Sequence, residues 1–322
     1  MAAPRPINVA VGFDGGGTKT ECVVLDGEGK IVGRGIAGPS NPLRVGMEAA
    51  FTELAQAATE ALASAHLKPR QIDAVCAGLA GAGRRSVIRS AIVFLAHEFP
   101  DALTHVTTDC EIALEAAVGA GTGVIIIAGT GSASFGRNAN GETARAGGFG
   151  RWIGDDGSAY EIGRRAVGCV ARARDQGAPL TALSNGILAA LNCPSWDDLT
   201  ERITKNPDDV FPSLFPAVAS AASMEDNVAR EILYAAALDL STTALTVIRR
   251  LGLLELAFPL VKCGGVFGLS RLMDEMFDAV IASAASRANI SRLEVPAAVG
   301  AARLAARLAR GEDRAAIRGV SL

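Results

Sequence analysis

The chain of 322 residues carries 31 Lys and Arg against 34 Asp and Glu, a formal net charge of −3, with 49% hydrophobic and 5% aromatic residues. That length allows two domains with separate cores, and the apolar share excludes an intrinsically disordered chain. A near-neutral charge without a basic stripe excludes the electrostatic footprint of a nucleic-acid binder.

Six cysteines, at 22, 76, 110, 169, 193 and 263, form no C-x-x-C pair, and the three histidines, His66, His97 and His105, lie away from the glycine-rich turns. Zinc, iron–sulfur and histidine-triad chemistry are therefore not expected, and the cysteines read as small buried hydrophobes in a reducing compartment. Met1–Pro6 has no apolar leader, and the longest uninterrupted apolar runs are far too short to span a bilayer. A soluble, cytoplasmic protein with no membrane partner is the expectation.

In chain order, Ile7–Phe13 and Glu21–Leu25 read as strands joined by a glycine turn, and Asp26-Gly27-Glu28-Gly29 leads to a third strand at Lys30–Gly35. That is an antiparallel meander. Gly46–Ala65 has helical apolar spacing, Ile72–Ala77 reads as a buried strand ending in Gly78-Leu79-Ala80-Gly81-Ala82-Gly83, and Ser86–Phe99 reads as a second helix. A short strand, His105–Thr108, ends at Asp109 before a helix at Glu111–Val118. The pattern then restarts. Val124–Ala128 and Ala133–Arg137 flank a second glycine turn, Asn140-Gly141 marks a hairpin, and a largely helical stretch runs from about Ser158 to Leu251. A strand at Leu260–Lys262 leads into Cys263-Gly264-Gly265-Val266 and another helix, and Ala297–Leu308 forms a last helix. The repetition predicts an α/β chain duplicated internally, with a helical insertion in the second copy and a glycine-containing hinge near 116–122.

Two glycine turns carry the chemistry. Backbone N–H groups grip a polyphosphate closely only where no Cβ intervenes. Asp14-Gly15-Gly16-Gly17-Thr18-Lys19-Thr20 and Gly129-Thr130-Gly131-Ser132 each lie between strands, unlike a P-loop, which opens a helix. Together they predict a clamp on one nucleotide, with Asp14 near a Mg²⁺ ion, a cation that takes carboxylate and water oxygens. Asp109, at a strand end, reads equally as a base for a substrate hydroxyl and as the N-cap of the following helix. Gly147–Ser158 holds five glycines, two carboxylates and a tryptophan, a composition suited to a sugar. Gly264-Gly265 reads as a place where a base or ribose approaches the backbone, or as a simple strand-to-helix turn.

Phe-Asp-Gly-Gly-Gly-Thr-Lys-Thr, Gly-Leu-Ala-Gly-Ala-Gly, Thr-Asp109, Ala-Gly-Thr-Gly-Ser and Cys-Gly-Gly-Val follow one another as in the actin, hexokinase and heat-shock chaperone superfamily. More narrowly, through Gly-Gly-Phe-Gly-x-x-x-Gly-Asp-Asp-Gly-Ser, the chain resembles the N-acetylglucosamine kinases of the family that also holds the benzoyl-CoA reductase activator ATPases. The resemblance implies duplicated ribonuclease H-like (actin-like ATPase) domains with an interdomain cleft: residues 1–117, residues 118–297 with the helical insertion, and a C-terminal helix, 298–322, packed back on the first.

It implies ATP and Mg²⁺ as cofactors, with Asp14, Gly15, Gly16, Gly17, Thr18 and Lys19 as the first phosphate motif, Gly129, Thr130, Gly131 and Ser132 as the second, and Gly264 and Gly265 at the adenosine. Asp109 matches the catalytic aspartate that deprotonates the sugar. Asn41, Gly148, Phe149 and Asp155 match sugar-binding positions, with Phe149 where relatives often have Trp and Asp156 where they often have Glu. The implied activity is phosphorylation of the 6-hydroxyl of an amino sugar, N-acetylglucosamine first, with glucosamine and N-acetylmuramic acid as alternatives, by a homodimer. An ATPase that activates a partner enzyme ranks below, since Ala128–Phe135 contains no cysteine for a cluster.

Overall fold

In the computed structural model, residues 8–312 are described. They divide into two compact units, residues 8–121 with 293–312, and residues 122–292. Ile7, Met1–Pro6 and the part of the expected last helix beyond residue 312 lie outside the described residues.

In the first unit, β1 (Val9–Gly15), β2 (Thr20–Asp26) and β3 (Ile31–Ala37) form the expected meander. It is followed by α1 (Pro42–Val45), α2 (Met47–Ala65), β4 (Ala74–Leu79), α3 (Arg85–Glu98), β5 (Leu103–Thr108) and α4 (Asp109–Val118). The sheet order is β3-β2-β1-β4-β5, with β1, β4 and β5 parallel. β4 is buried along its whole length, which explains its near-continuous apolar sequence, as expected of a parallel strand covered on both faces.

One sheet face packs on α2 and α3, where Leu54, Ala57, Ala61, Val87 and Leu95 meet Phe13, Val24 and Val75. Each fully buried Leu or Phe there contributes about 1.5–3 kcal/mol. The second unit opens with β6 (Gly123–Ala128), β7 (Ser132–Arg137) and β8 (Thr143–Gly147), joined by the hairpin at Asn140-Gly141. Helices α5 (Ala159–Asp175), α6 (Ala182–Ala190), α7 (Trp196–Lys205), α8 (Pro207–Ser213), α9 (Phe215–Ser223) and α10 (Asn227–Arg250) come next, then β9 (Phe258–Cys263), α11 (Arg271–Ala284) and β10 (Ala288–Arg292).

Read from its antiparallel edge, this sheet runs β8-β7-β6-β9-β10, with β6, β9 and β10 parallel. The two sheets therefore share strand order and direction, which is the duplication expected from the repeated motif pattern. The chain returns to the first unit with α12 (Ala297–Ala309), which covers the other face of that sheet with Ala301, Leu304, Ala305 and Leu308 against Ala10, Ala74 and Ile112. The fit leaves no room for side chains at the crossing. A Cβ on Gly12 would lie 2.1 Å from the Ala298 carbonyl oxygen, and one on Gly300 would lie 2.1 Å from that of Ile112.

Helix α10 is long and apolar enough by composition to cross a bilayer, although, as expected, it holds no uninterrupted apolar run of that length. Its apolar residues face the core of the second unit, where Ile232, Leu233, Leu240 and Ile248 meet Val124, Ile126 and Leu260. Its Asp239 pairs with Arg165 at 3.0 Å.

Three further differences from the sequence reading have local causes. The short helix α1 was not expected, although Asn41 caps it and Pro42 starts it, a recognised helix-opening pair. The edge strand β10 has mostly exposed residues and so no apolar alternation to betray it. The glycine pair after β9 does not open a helix directly: a loop runs to the N-cap Ser270, and α11 begins at Arg271.

Candidate active site

In the first unit the site is built at the carboxyl ends of parallel strands, where open α/β sheets bind ligands. Register places Asp14 beside Gly78 and Gly78 beside Thr107, so the first glycine turn, the Gly78–Gly83 segment and the start of α4 meet at one edge. Thr108, not Asp109, caps α4, accepting the Glu111 N–H at 3.3 Å. The capping alternative for Asp109 is thereby corrected: Asp109 is the first helical residue, and its Oδ1 accepts the Cys110 N–H at 2.9 Å.

Asp14 is half-buried. Burial, then the charges of Asp109 and Glu21, push its pKa up to about 7, while Lys19 pulls it down. Carboxylates perturbed in this way gather at functional sites. Glu21 is itself buried and holds Lys19 Nζ at 3.2 Å and Arg34 Nη2 at 2.8 Å.

The turn is tied to the sugar-candidate segment by backbone bonds. The Gly16 carbonyl accepts the N–H groups of Ser40 and Asn41, both at 3.1 Å, and the Gly15 carbonyl accepts that of Ala80 at 2.8 Å. The Arg44 guanidinium donates to the Gly17 carbonyl. Asn41 Oδ1 accepts the Leu43 N–H at 3.0 Å, and the Gly81 backbone lies against that oxygen, 3.0 Å from where a Cβ would sit. Asp14–Lys19, Asn41 and Asp109 are thus brought together within this unit.

In the second unit, Gly129 N–H donates to the Gly131 carbonyl, and the Gly129 carbonyl receives the N–H of Ala159, the first residue of α5, each at 2.9 Å. The second glycine turn therefore rests on the start of α5, which Ser158 caps. Ser132 Oγ donates to the Asp156 carbonyl at 2.7 Å, and Gly148 N–H donates to the Ser132 carbonyl at 2.9 Å. Asp155, at φ 62°, turns its carboxylate to Gly131: a Cβ there would lie 2.8 Å from Oδ2.

Gly264, at φ 94°, has no room for a side chain, since its Cβ would lie 2.3 Å from the Ala128 carbonyl oxygen, and Gly265 beside it faces open space. Gly129–Ser132, Gly148, Asp155, Gly264 and Gly265 are thus assembled within this unit. Phe149 stands on the same loop, 71% exposed, with Trp152 and Ile153 also exposed. Arg151 anchors the loop through Asp208 at 2.6 Å.

No group of three or more His, Cys, Asp or Glu side chains among the described residues is arranged to hold a metal ion. Mg²⁺ needs less: one or two carboxylates, with water and substrate phosphates completing the shell. Asp14, poorly solvated and within electrostatic reach of Asp109, fits that need, because a cation relieves a carboxylate held in a buried, negative site. Sequence reasoning missed Arg44, and it marked Gly81 only as part of the Gly78–Gly83 run, without a role. Arg44 was legible only through α1, and Gly81 through its φ of 90°, which no sequence pattern specifies.

The model of the BadF/BadG/BcrA/BcrD ATPase family matches residues 11–305, and the chain belongs to that family. It is 33% identical over 271 residues to the N-acetylmuramic acid/N-acetylglucosamine kinase of Clostridium acetobutylicum, covering 82% of this chain and 88% of that protein. It is 31% identical over 317 residues to the N-acetyl-D-glucosamine kinase of Dictyostelium discoideum, covering 92% and 97%. A solved structure from Chromobacterium violaceum superposes with a TM-score of 0.76 at 24% identity, covering 95% of this chain and 99% of that one. The fold is the two-domain actin-like ATPase fold, as the duplicated mixed sheets already indicated.

Proposed function

We propose that the chain is an ATP-dependent kinase of amino sugars, acting on the 6-hydroxyl of N-acetylglucosamine. Kinship to kinases of N-acetylglucosamine at 33% and 31% identity supports the class. The observation that carries the mechanism is Asp109 at the head of α4, close enough to Asp14 to perturb its protonation, with Asn41 hydrogen-bonded through its backbone to the same glycine turn.

The roles are those the family resemblance implies, and each suits the chemistry of its residue. Phosphoryl transfer asks mainly for positioning and charge neutralisation. The N–H groups of Gly15–Lys19 and of Gly129–Ser132 bind the triphosphate; Gly265, whose missing Cβ leaves open space, admits the adenosine, and Gly264 shapes the turn against the Ala128 carbonyl. Asn41, Gly148, Phe149 and Asp155 hold the sugar, and Asn41 presents an amide able to donate to one hydroxyl and accept from another. Asp109 receives the proton of the 6-hydroxyl as the oxygen bonds to the γ-phosphorus and the bond to the leaving ADP breaks. Asp14 would hold Mg²⁺, which would supply positive charge against the triphosphate. The family resemblance supports a cytoplasmic homodimer, for which light scattering is expected to give twice the 33.0 kDa mass of one chain.

The deciding experiment is ADP release measured against N-acetylglucosamine, N-acetylmuramic acid, glucosamine, glucose and 6-deoxy-N-acetylglucosamine. Turnover with N-acetylglucosamine and none with the 6-deoxy sugar is the expected result. Nucleotide hydrolysis indifferent to every sugar would overturn the kinase reading.

A further inference from the structure

Resting on the kinase reading above, we infer that Arg44 is a positioning residue for the nucleotide: it holds the peptide between Gly17 and Thr18 with its N–H turned to the triphosphate, and through it a sugar bound at Asn41 tightens nucleotide binding.

The inference begins with the peptide unit. A trans peptide is planar, so the carbonyl of one residue and the N–H of the next point in opposite directions. Capturing a carbonyl therefore fixes where the following N–H points. The Gly16 carbonyl is captured by the N–H groups of Ser40 and Asn41, which turns the Gly17 N–H away from the 40–44 segment. The Gly17 carbonyl is captured by the Arg44 guanidinium, which turns the Thr18 N–H the same way. Gly16 and Gly17 carry no Cβ to resist rotation on their side of these peptides. A flipped peptide would present a carbonyl oxygen to the phosphates in place of an N–H and convert attraction into repulsion. Two of the three captured bonds come from the backbone and the third from a charged side chain, the stronger kind of hydrogen bond.

Arg44 is also mechanically joined to the sugar segment. Asn41 is the N-cap of α1 and Arg44 lies in the same single turn, with the Arg44 N–H donating to the Asn41 carbonyl at 2.9 Å. Pro42, buried at the first helical position, restricts that turn further. The segment is held from beneath as well, since the buried Thr20 hydroxyl donates to the Gly38 carbonyl and lies 2.7 Å from Ser40 Oγ. Ordering the Asn41 amide on a sugar therefore orders Arg44, and by reciprocity an ordered phosphate turn favours the sugar.

The test uses the full chain and titrates Mg²⁺ and the non-hydrolysable ATP analogue AMP-PNP calorimetrically, with and without N-acetylglucosamine. In the unaltered protein the sugar tightens AMP-PNP by about fivefold or more, the lower end of ordinary coupling. Arg44→Met keeps most of the stem but no donor. It is expected to weaken AMP-PNP about tenfold, the loss of one charge-assisted bond, and to shrink the sugar effect to under about twofold. Arg44→Lys, which keeps one donor, falls between. In turnover, Arg44→Met raises KM for ATP more than it lowers kcat. Retained affinity and coupling in Arg44→Met overturns the inference, as does an unaltered protein that phosphorylates sugar yet shows no coupling. Absence of sugar phosphorylation in the unaltered protein defeats the kinase reading itself. If Arg44→Met fails to fold, Arg44→Lys decides on the same two quantities: both reduced supports the inference, both unchanged overturns it.

Discussion

Replacing Asp14 by Asn should stabilise the nucleotide-free protein while abolishing its activity. In the folded chain the Asp14 pKa lies at about 7 against an ordinary value of 3.8, burial being the largest cause and Asp109 the next. Between those two values the native state binds a proton that the unfolded state has released, so Asp14 costs stability progressively as pH rises through that window. Three units correspond to a ceiling of about 4 kcal/mol at 1.36 kcal/mol each. Asp14 is half-buried rather than sealed, and water reaching it screens the penalty to roughly 1–2 kcal/mol.

Asn removes the charge and the penalty with it. The variant should therefore melt roughly 2–6 °C above the unaltered chain at pH 8, with the gap narrowing at pH 5, where the native Asp14 is already largely protonated. Differential scanning fluorimetry at the two pH values, without nucleotide, reads both. Adding Mg²⁺ and ADP should raise the melting point of the unaltered chain more than that of the variant. Equal melting points at pH 8, or a gap as large at pH 5, would refute the account of a carboxylate destabilised by burial first and Asp109 second.

Three other substitutions test the remaining parts. Asp109→Asn should lower kcat by roughly 10²-fold or more with sugar binding kept, the scale of a lost general base; unchanged turnover removes Asp109 from the reaction. Gly16→Val, at a turn where the added Cβ would already lie 3.3 Å from the Lys19 carbonyl oxygen, should weaken ATP binding roughly tenfold or more, about 1.4 kcal/mol, and unaltered affinity by calorimetry counts against the phosphate role of that turn. Gly264→Ala meets both the φ of 94° and the Ala128 carbonyl. It should cost about 1–3 kcal/mol in melting experiments and raise KM for ATP, and a variant unchanged in both leaves Gly264 without its assigned part.

Much of the fold was legible in the linear chain because its signals are local. Three consecutive glycines between Val9–Phe13 and Cys22–Leu25 announce a turn between buried strands, and Val124–Ala128 repeats the announcement. Apolar spacing over Gly46–Ala65 marks a helix wherever it packs, and α2 runs from Met47 to Ala65. Where such signals are weak the reading fell short. Ala288–Arg292 is an exposed edge strand whose place is set by pairing with β9, and no residue preference declares it. Thr108 and Asp109 are both good caps, and which of them serves depends on where β5 ends against β4.

Sequence alone determined the chemical inventory of this protein: a duplicated α/β chain, two glycine turns able to approach phosphates, and an aspartate at a strand end. Tertiary structure decided which of those groups act on one another. Asp14 and Asp109 are far apart along the chain and come within electrostatic reach only because β1, β4 and β5 run parallel in one register. Arg44 reaches the Gly17 carbonyl only because the 38–41 segment folds over the first turn. Proton affinity and peptide orientation depend on distances through space, and those distances exist only once the sheet has formed.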